Sequence, residues 1–540
     1  MYKGNSEVQL DRPSRSTFDY SHEHRTTTRI GRLTPIFIEE TLPNDSWYGK
    51  VEVLIKFAPL LFPIFARLYL FCHWHFVPNR IIASWWPDFI TGGRLGEQVT
   101  VPAIPSRFTY ASVGARALSL LDKSSIINYM GHPPLTDAAA NALATRSFDV
   151  LPLAAFYKVW YDWYRDRNYT ADNTILSLPA GTIATTATID ALMSTKIRHW
   201  EADYYTTAQT NTQRGAEVLL PLQGSGTVTY STTSTLKRND GTLAAINLLT
   251  GSGNATGAFQ VEKTGTGNNG FPGRLENIAA VQITTSDVSI NDTRRAIALQ
   301  KWLERNQLAG SRMDESIMAH FGRRTSDARL QMAEYLGGSK TPCQITELIS
   351  TAWSNDGTND IPQGNMAGNA MVYATDNSVS YNCEEWGFII CTMSVMPLTS
   401  YKQGLPRMFQ QRDSFLAYPW PTFANLGEQE VYNNELFVDA TSLPIDRTTQ
   451  PIFGYTSRYS DWKQANSKDT GDFYDNMEAW TITRKFATQP VLGNTFVQFD
   501  DALQDQIFAV AAADTLWCYI YASMKVKRSL PYYGTPQLIG

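Results

Sequence analysis

Residues 57–77 read FAPLLFPIFARLYLFCHWHFV, the most apolar run in a chain of 540 residues. A run of this length can cross a bilayer as one helix, or it can be divided into strands in the core of a β protein. Pro59 and Pro63 break a spanning helix, Arg67 places a charge within the run, and Lys56 sits at its start. Strands are the better reading. Along Ile64–Val77, Ile64, Leu68, Leu70, Trp74 and Phe76 share one side, and Phe65, Tyr69, Phe71 and Val77 share the other. A strand that is apolar on both sides needs cover on both, as in a sandwich interior or a subunit contact.

Before this run, Lys50–Phe57 reads as a strand, and residues 33–48 (LTPIFIEETLPNDSWY) read as a short strand ending in a Pro-Asn-Asp turn. At the far end of the chain, Trp386–Met396 (WGFIICTMSVM) is a continuous buried strand. Gln506–Lys527 runs apolar and then alternates, so that Trp517, Tyr519, Tyr521, Ser523, Lys525 and Lys527 share one face. Strands at both ends must pair across most of the sequence. That predicts a mainly β chain, a Greek-key or jelly-roll sandwich with long inter-strand insertions carrying short helices.

Helical segments lie between these strands. The clearest is Pro152–Arg167, with Leu153, Phe156, Tyr157, Trp160, Tyr161 and Tyr164 at helical spacing. Ile81–Ile90, closed by Gly92-Gly93, and Ser124–Met130 are shorter. Residues 291–339 read as three helical pieces: Thr293–Asn306, Met313–Phe321, and a third running from Ser326 to a stop at Gly337-Gly338. Residues 1–32 read as an extended, Arg-rich arm. The chain thus divides into 1–169 (arm, first strands and aromatic helices), 170–290 (a Thr/Gly/Asn-rich surface insertion), 291–351 (helical packing), 352–378 (a polar loop) and 379–540 (closing strands), all one fold unit with insertions.

The net charge is −5, from 46 basic and 51 acidic residues, which excludes nucleic-acid binding by bulk charge. Any such contact is local or shared with a basic partner. Five scattered cysteines without a CxxC argue against a disulfide framework and fit a reducing compartment. Met1–Glu23 has no apolar signal core, and no membrane insertion is expected.

Motifs of chemistry are sparse. His73 and His75 flank Trp74 and point the same way from a strand, as metal ligands would, but no acidic or thiol cluster completes a shell. Glu39-Glu40 and Glu428/Glu430/Glu435 are the carboxylate candidates for glycan cleavage. The glycine-rich runs at 224–226, 251–257 and 265–270 lack the Lys-Ser/Thr of a phosphate loop. Residues 354–365 (SNDGTNDIPQGN) miss the spacing of a calcium loop. No catalytic residue, cofactor or metal is assigned. Arg and Lys interleaved with Tyr mark Arg12, Arg15, Lys525, Lys527 and Arg528 as candidates to meet the phosphates and unpaired bases of a nucleic acid. The arginines of 291–339, above all Arg323, Arg324 and Arg329, together with Trp160 and Trp420, are candidates for a subunit interface.

Several blocks, in order, resemble one family: Phe18–Leu33 with Ser21-His22 and Gly31-Arg32-Leu33; Phe76–Arg80 followed by Phe89–Gly93; Trp160–Asn168 (WYDWYRDRN); ALQKWLERN at 298–306 and HFGRRTSDARLQMAEYLGGS at 320–339; Tyr401–Met408 (YKQGLPRM); Trp420–Glu435; and Phe453-Gly454-Tyr455 with Arg458-Tyr459. Together they resemble the major capsid protein of the Microviridae, in its gokushovirus-like branch. The chain departs from the pattern at about 170–290 and at 352–378.

The resemblance implies a single jelly-roll barrel that self-assembles through pentamers into a small T=1 icosahedral shell around circular single-stranded DNA. It also implies synthesis in the cytoplasm of a bacterial host, a small basic internal DNA-binding protein, and outward insertions that meet a host-cell surface receptor. The competing reading is a jelly-roll carbohydrate-binding or glycan-cleaving protein.

Overall fold

The computed structural model describes residues 14–62, 64–91, 105–114, 120–136, 139, 142–170, 177–216, 218, 290–310, 312–343, 354–355, 360–361, 371–410, 414–425, 427–438, 451–508 and 513–533. The chain divides into two units, one of residues 1–214 and 304–540 and one of residues 215–303. The described part of the second unit is chiefly the start of the helix Ile290–Ala309, whose residues are all exposed or half-exposed.

Ten of the described strands form the two main sheets of the first unit. They are β1 (Ser16–Asp19), β2 (His22–Thr28), β3 (Arg32–Thr41), β4 (Ser46–Phe57), β5 (Leu68–Pro78), β6 (Glu334–Cys343), β7 (Met371–Thr375), β8 (Val379–Asn382), β9 (Gly387–Pro397) and β10 (Leu516–Arg528). One sheet runs β1–β10–β4–β7, with β2 also on β10 and β8 also on β4. The other runs β3–β9–β5–β6, with Lys196–Ile197 on the outer edge of β3. Every pairing among the ten strands is antiparallel. β10 lies against β4 without a slip from Leu516↔Phe57 to Lys527↔Ser46, closing the two ends of the chain on each other.

Alternation along β10 sets this register. Leu516, Cys518, Ile520, Ala522, Met524 and Val526 are buried, while the residues between them face out. A slip of one residue would turn that whole apolar row to solvent. The buried row meets Val51, Val53 and Ile55 of β4, Leu70, Cys72, Trp74 and Phe76 of β5, and Ile389, Cys391, Met393 and Val395 of β9 in one core between the sheets. Each large side chain in it contributes about 1.5–3 kcal/mol by leaving water. A charge at Ile520, which is fully buried in this row, would stand unpaired in the core and break it.

The second sheet is covered on its other side as well. The helix α1 (Leu151–Val159), continued by a π-helical turn at Trp160–Tyr164, packs Phe156, Tyr157 and Tyr161 into a second core that takes Val77, Phe388 and Ile390 from the sheet. This is why all of β9 is buried. The corresponding outer face of the first sheet carries exposed aromatic side chains instead.

The main strands fall where alternation put them, with differences that have local causes. β5 begins at Leu68, not at Ile64. The backbone before it is held by other segments, with Ala58 N donating to Thr515 O, Leu61 N to Ile507 O and Phe65 N to Trp480 O. The helix expected over Ile81–Ile90 is two pieces, Asn79–Ile82 and Trp86–Thr91. Pro87, lacking an N–H, suits the first turn of the second piece and not the interior of one long helix. Ser124–Met130 shortens to Ile126–Tyr129, capped by Ser125.

The described end of the supposed free arm is sheet. Residues 16–28 form β1 and β2 on the edge of β10, so these backbone groups are paired and not solvated. Two helical pieces of 291–339 stand, as α2 (Ile290–Ala309) and α3 (Met313–Phe321). The third does not. After turns at 327–331, closed by the left-handed Gln331, residues 334–343 form β6. Gly337-Gly338, read as a helix stop, is instead the place where β6 meets β5. A Cβ on Gly338 would lie 2.5 Å from Cys72 O, so only glycine allows that approach.

A candidate nucleic-acid interface and candidate assembly surfaces

The bare face of the first sheet is assembled row by row from its register. Met371, Lys56, Trp517 and Thr27 stand abreast. Tyr373, Leu54, Tyr519 and Arg25 form the next row, and Thr375, Glu52, Tyr521 and Glu23 the next. Further along, Tyr48 lies beside Lys525 and Asp19, and Ser46 beside Lys527 and Thr17. Trp517, Tyr519 and Tyr521 therefore form a ladder along one strand, flanked by Tyr48 and Tyr373. Trp517 is 49% exposed and Tyr373 62%.

Aromatic faces of this kind stack on unpaired bases without regard to sequence, and nearby cations meet the phosphates. Acids on the face are largely engaged. Glu52 holds Lys50 at 2.8 Å and accepts from the Tyr373 hydroxyl at 3.2 Å. Glu23 pairs with Arg25, which lies 5.7 Å over the Tyr519 ring. Asp19 accepts from Ser21 N at 2.9 Å, and hydrogen bonding from the Ser21 side chain, then from its backbone, holds the Asp19 carboxyl below the usual range. Among the described residues Lys56, Lys525 and Lys527 have no carboxylate at ion-pair distance, so the face keeps uncompensated positive charge.

Four of the five cationic candidates converge on one end of this sheet, in two different roles. Lys525 and Lys527 are exposed on the open face. Arg528, the next residue by strand parity, turns inward. Its guanidinium donates twice to Asp45 Oδ2, at 2.9 and 2.7 Å, and to Tyr20 Oη and Glu40 O. Asp45 is fully buried. Arg15 donates to Asn44 O, Ser46 Oγ and Lys527 O, fastening the start of β1 to the end of β10. Arg12 lies outside the described residues.

The interface candidates are dispersed. Arg323, Arg324 and Arg329 are exposed in the turns after α3. Trp420 is 47% exposed, its Nε1 donating to Phe415 O at 2.9 Å. It belongs to a run of short 3₁₀ turns that also exposes Met408, Phe409, Phe415 and Tyr418. That apolar cluster was missed in the sequence. Its signal was there, in aromatic residues between prolines with neither a 3.6 nor a 2 period (MFQQRDSFLAYPWPTF, 408–423). Trp160 lies within the helical layer, with Lys196 Nζ 4.9 Å over its ring.

The other chemical candidates find local partners. His73 Nδ1 is 2.7 Å from the Tyr164 hydroxyl. Burial pushes the pKa of His73 down to about 4 and that of His75 to about 3, so both are neutral. Among the described residues no group of three His, Cys, Asp or Glu could hold a metal ion. Glu39 and Glu40 are adjacent on β3 and so point to opposite sides. Glu435 is buried against Arg407 and accepts from Tyr432 N. Glu428 and Glu430 share a cleft of about 180 Å³, smaller than ligand pockets of about 300–1,000 Å³. Among the described residues no helix is long and apolar enough to cross a membrane.

Comparison with known proteins matches residues 6–538 to the model of a family described as "Capsid protein (F protein)". Similar curated proteins are the capsid protein VP1 of Chlamydia phage 1, 29% identical over 99% of this chain and 97% of that one, and of Bdellovibrio phage phiMH2K, 27% identical over 98% and 96%. The capsid protein VP1 of Spiroplasma virus 4 is 25% identical over 100% and 97%.

Proposed function

The chain belongs to the phage capsid protein (F protein) family, and from that premise we propose how the capsid subunit is used. Its role is structural: it self-assembles into the capsid of a Microviridae virion. The subunit is a single jelly roll. The strand order supports this: β2–β10–β4–β7/β8 in one sheet and β3–β9–β5–β6 in the other, with the chain crossing between sheets as a jelly roll does. Copies join through pentamers into a T=1 shell. The exposed arginines at 323, 324 and 329 and the apolar turns around Trp420 serve as contacts between copies.

The bare face of the first sheet lies against packaged single-stranded DNA. The observation that carries this reading is the ladder Trp517–Tyr519–Tyr521, exposed on one strand beside Lys56, Lys525 and Lys527. The other sheet is covered over much of its outer side by the helical layer. With a chain charge of −5, a small basic internal protein shares the neutralisation of the genome. The Thr/Gly/Asn-rich insertion is the part offered to a host receptor. The chain is made in the cytoplasm of the infected bacterium.

The test is the variant W517S/Y519S/Y521S, all on the solvent side of β10. It is expected to form shells of normal diameter in electron microscopy that hold less DNA per particle, read from the ratio of absorbance at 260 to 280 nm. Shells with a full complement of DNA refute the assignment of this face.

A further inference from the structure

On the far side of the second sheet from the core lies a cavity of about 750 Å³, a volume typical of small-molecule sites. Neither the genome face nor the assembly surfaces account for it. Its floor is a box of rings. His75 lies 5.5 Å from Tyr335 and 5.9 Å from Trp163 between centroids, Trp163 is 5.5 Å from Tyr335, and His73 is 5.8 Å from Tyr335. Both imidazoles are neutral and add no charge. His75 is 1% exposed, and its Nδ1 is buried without a hydrogen-bond partner among the described residues. A buried polar nitrogen in that state costs free energy unless something enters the cavity to meet it.

The walls carry the charge. Arg167, Arg198 and Arg312 line the cavity, and among the described residues none has a carboxylate at ion-pair distance. Of the acids in the lining, Glu201 is paired with Lys340 at 2.6 Å, while Asp166 accepts from Asn168 N at 2.8 Å and Glu315 from Arg312 N at 3.1 Å, bonds that fix these two carboxylates without cancelling their charge. Arg198 is half-buried, stacked 3.8 Å over Phe71, and among the described residues its guanidinium gives one hydrogen bond, to Ser394 Oγ at 2.9 Å, out of five donors. Unpaired arginines above an aromatic floor match a ligand with two or more negative charges at one end and a flat ring at the other.

We infer that this cavity binds a phosphate-bearing ligand of mononucleotide size, its phosphoryl oxygens taken by the arginines and its ring by Trp163 and Tyr335. The site is separate from the genome face: it lies on the opposite side of the sandwich, and its existence does not depend on what that face touches.

Assembled shells would be titrated by calorimetry with dAMP, adenosine, ribose 5-phosphate and inorganic pyrophosphate. Saturable binding of dAMP is expected, with both adenosine, which lacks the phosphate, and ribose 5-phosphate, which lacks the ring, weaker by about tenfold or more. Arg167→Ala and Arg312→Ala, neither of which sits in a core, should each weaken dAMP by about tenfold with shells still formed. Tyr335→Ala should weaken dAMP and leave pyrophosphate unchanged. Absence of saturable dAMP binding, equal affinity for adenosine and dAMP, or unchanged affinity in both arginine variants overturns the proposal. A peptide from a neighbouring copy filling the cavity in the shell would overturn it as well, and would show as dAMP binding to unassembled subunits alone.

Discussion

Replacing Arg528 by alanine separates a structural cation from a genome-facing one. The side chain is 11% exposed and its partner Asp45 is fully buried. The substitution removes both bonds to Asp45 Oδ2 and the bonds to Tyr20 Oη and Glu40 O. It leaves a carboxylate inside the protein, with Leu42 N as the remaining donor to that oxygen. Breaking a buried pair in this way costs about 3–5 kcal/mol, because the surviving charge is uncompensated. Lys527→Ala, one residue away but on the open face, should change stability by less than about 0.5 kcal/mol.

The assay is urea unfolding of the unassembled subunit followed by tryptophan fluorescence. Trp47 is a local reporter: it is fully buried, with Tyr20 edge-on at 5.1 Å and Arg528 5.8 Å over its ring. Adding Asp45→Asn to Arg528→Ala should recover a large part of the loss. Asparagine keeps the acceptor for Leu42 N and removes the buried charge. A loss below about 1 kcal/mol for Arg528→Ala, the range of exposed ion pairs, would refute the reasoning and return Arg528 to the open face.

Other outcomes follow from the same geometry. K525A/K527A should leave shells intact and lower the salt dependence of single-stranded oligonucleotide binding by about 1.4 in log–log slope, at about 0.7 per phosphate contact; an unchanged slope removes both lysines from the interface. Glu428, pushed up to about 7 by burial and then by the Glu304 carboxylate, holds its proton in the folded protein where the unfolded chain, near 4.5, has released it. Stability should therefore fall as pH rises from about 4.5 to about 7 and then level off, and Glu428→Gln should flatten that stretch of the profile; a profile identical to wild type contradicts the assignment. R323A/R324A and Trp420→Ala should each reduce shell yield in sedimentation while shifting subunit unfolding by less than about 0.5 kcal/mol, since these side chains are exposed. Loss of subunit stability would make them packing residues.

Parity along strands was legible in the sequence and carried most of what came out right. The two-sided β5 and the alternating β10 each impose one answer, since a strand with both faces apolar demands two covers and a strand with one demands a single cover. The same parity separates Lys525 and Lys527 from Arg528, a distinction that charge alone does not make. What was not legible depended on partners distant in sequence. Gly337-Gly338 suits a helix stop as well as the close approach of two strands, and only the position of Cys72 decides between them. Residues 16–28 look like a free arm until β10, some 490 residues on, supplies their hydrogen bonds. The cavity above His75 joins segments near 75, 165, 200, 312 and 335, and nothing in the sequence shows that these distant segments meet.

Ultraviolet cross-linking of genome-filled particles, with mass spectrometry of the peptides that retain a nucleotide, tests the central claim most directly. Adducts are expected on Tyr48, Trp517, Tyr519 and Tyr521 and none on Phe415 or Trp420. Adducts on the turns around Trp420, with the ladder on β10 unmodified, would contradict it.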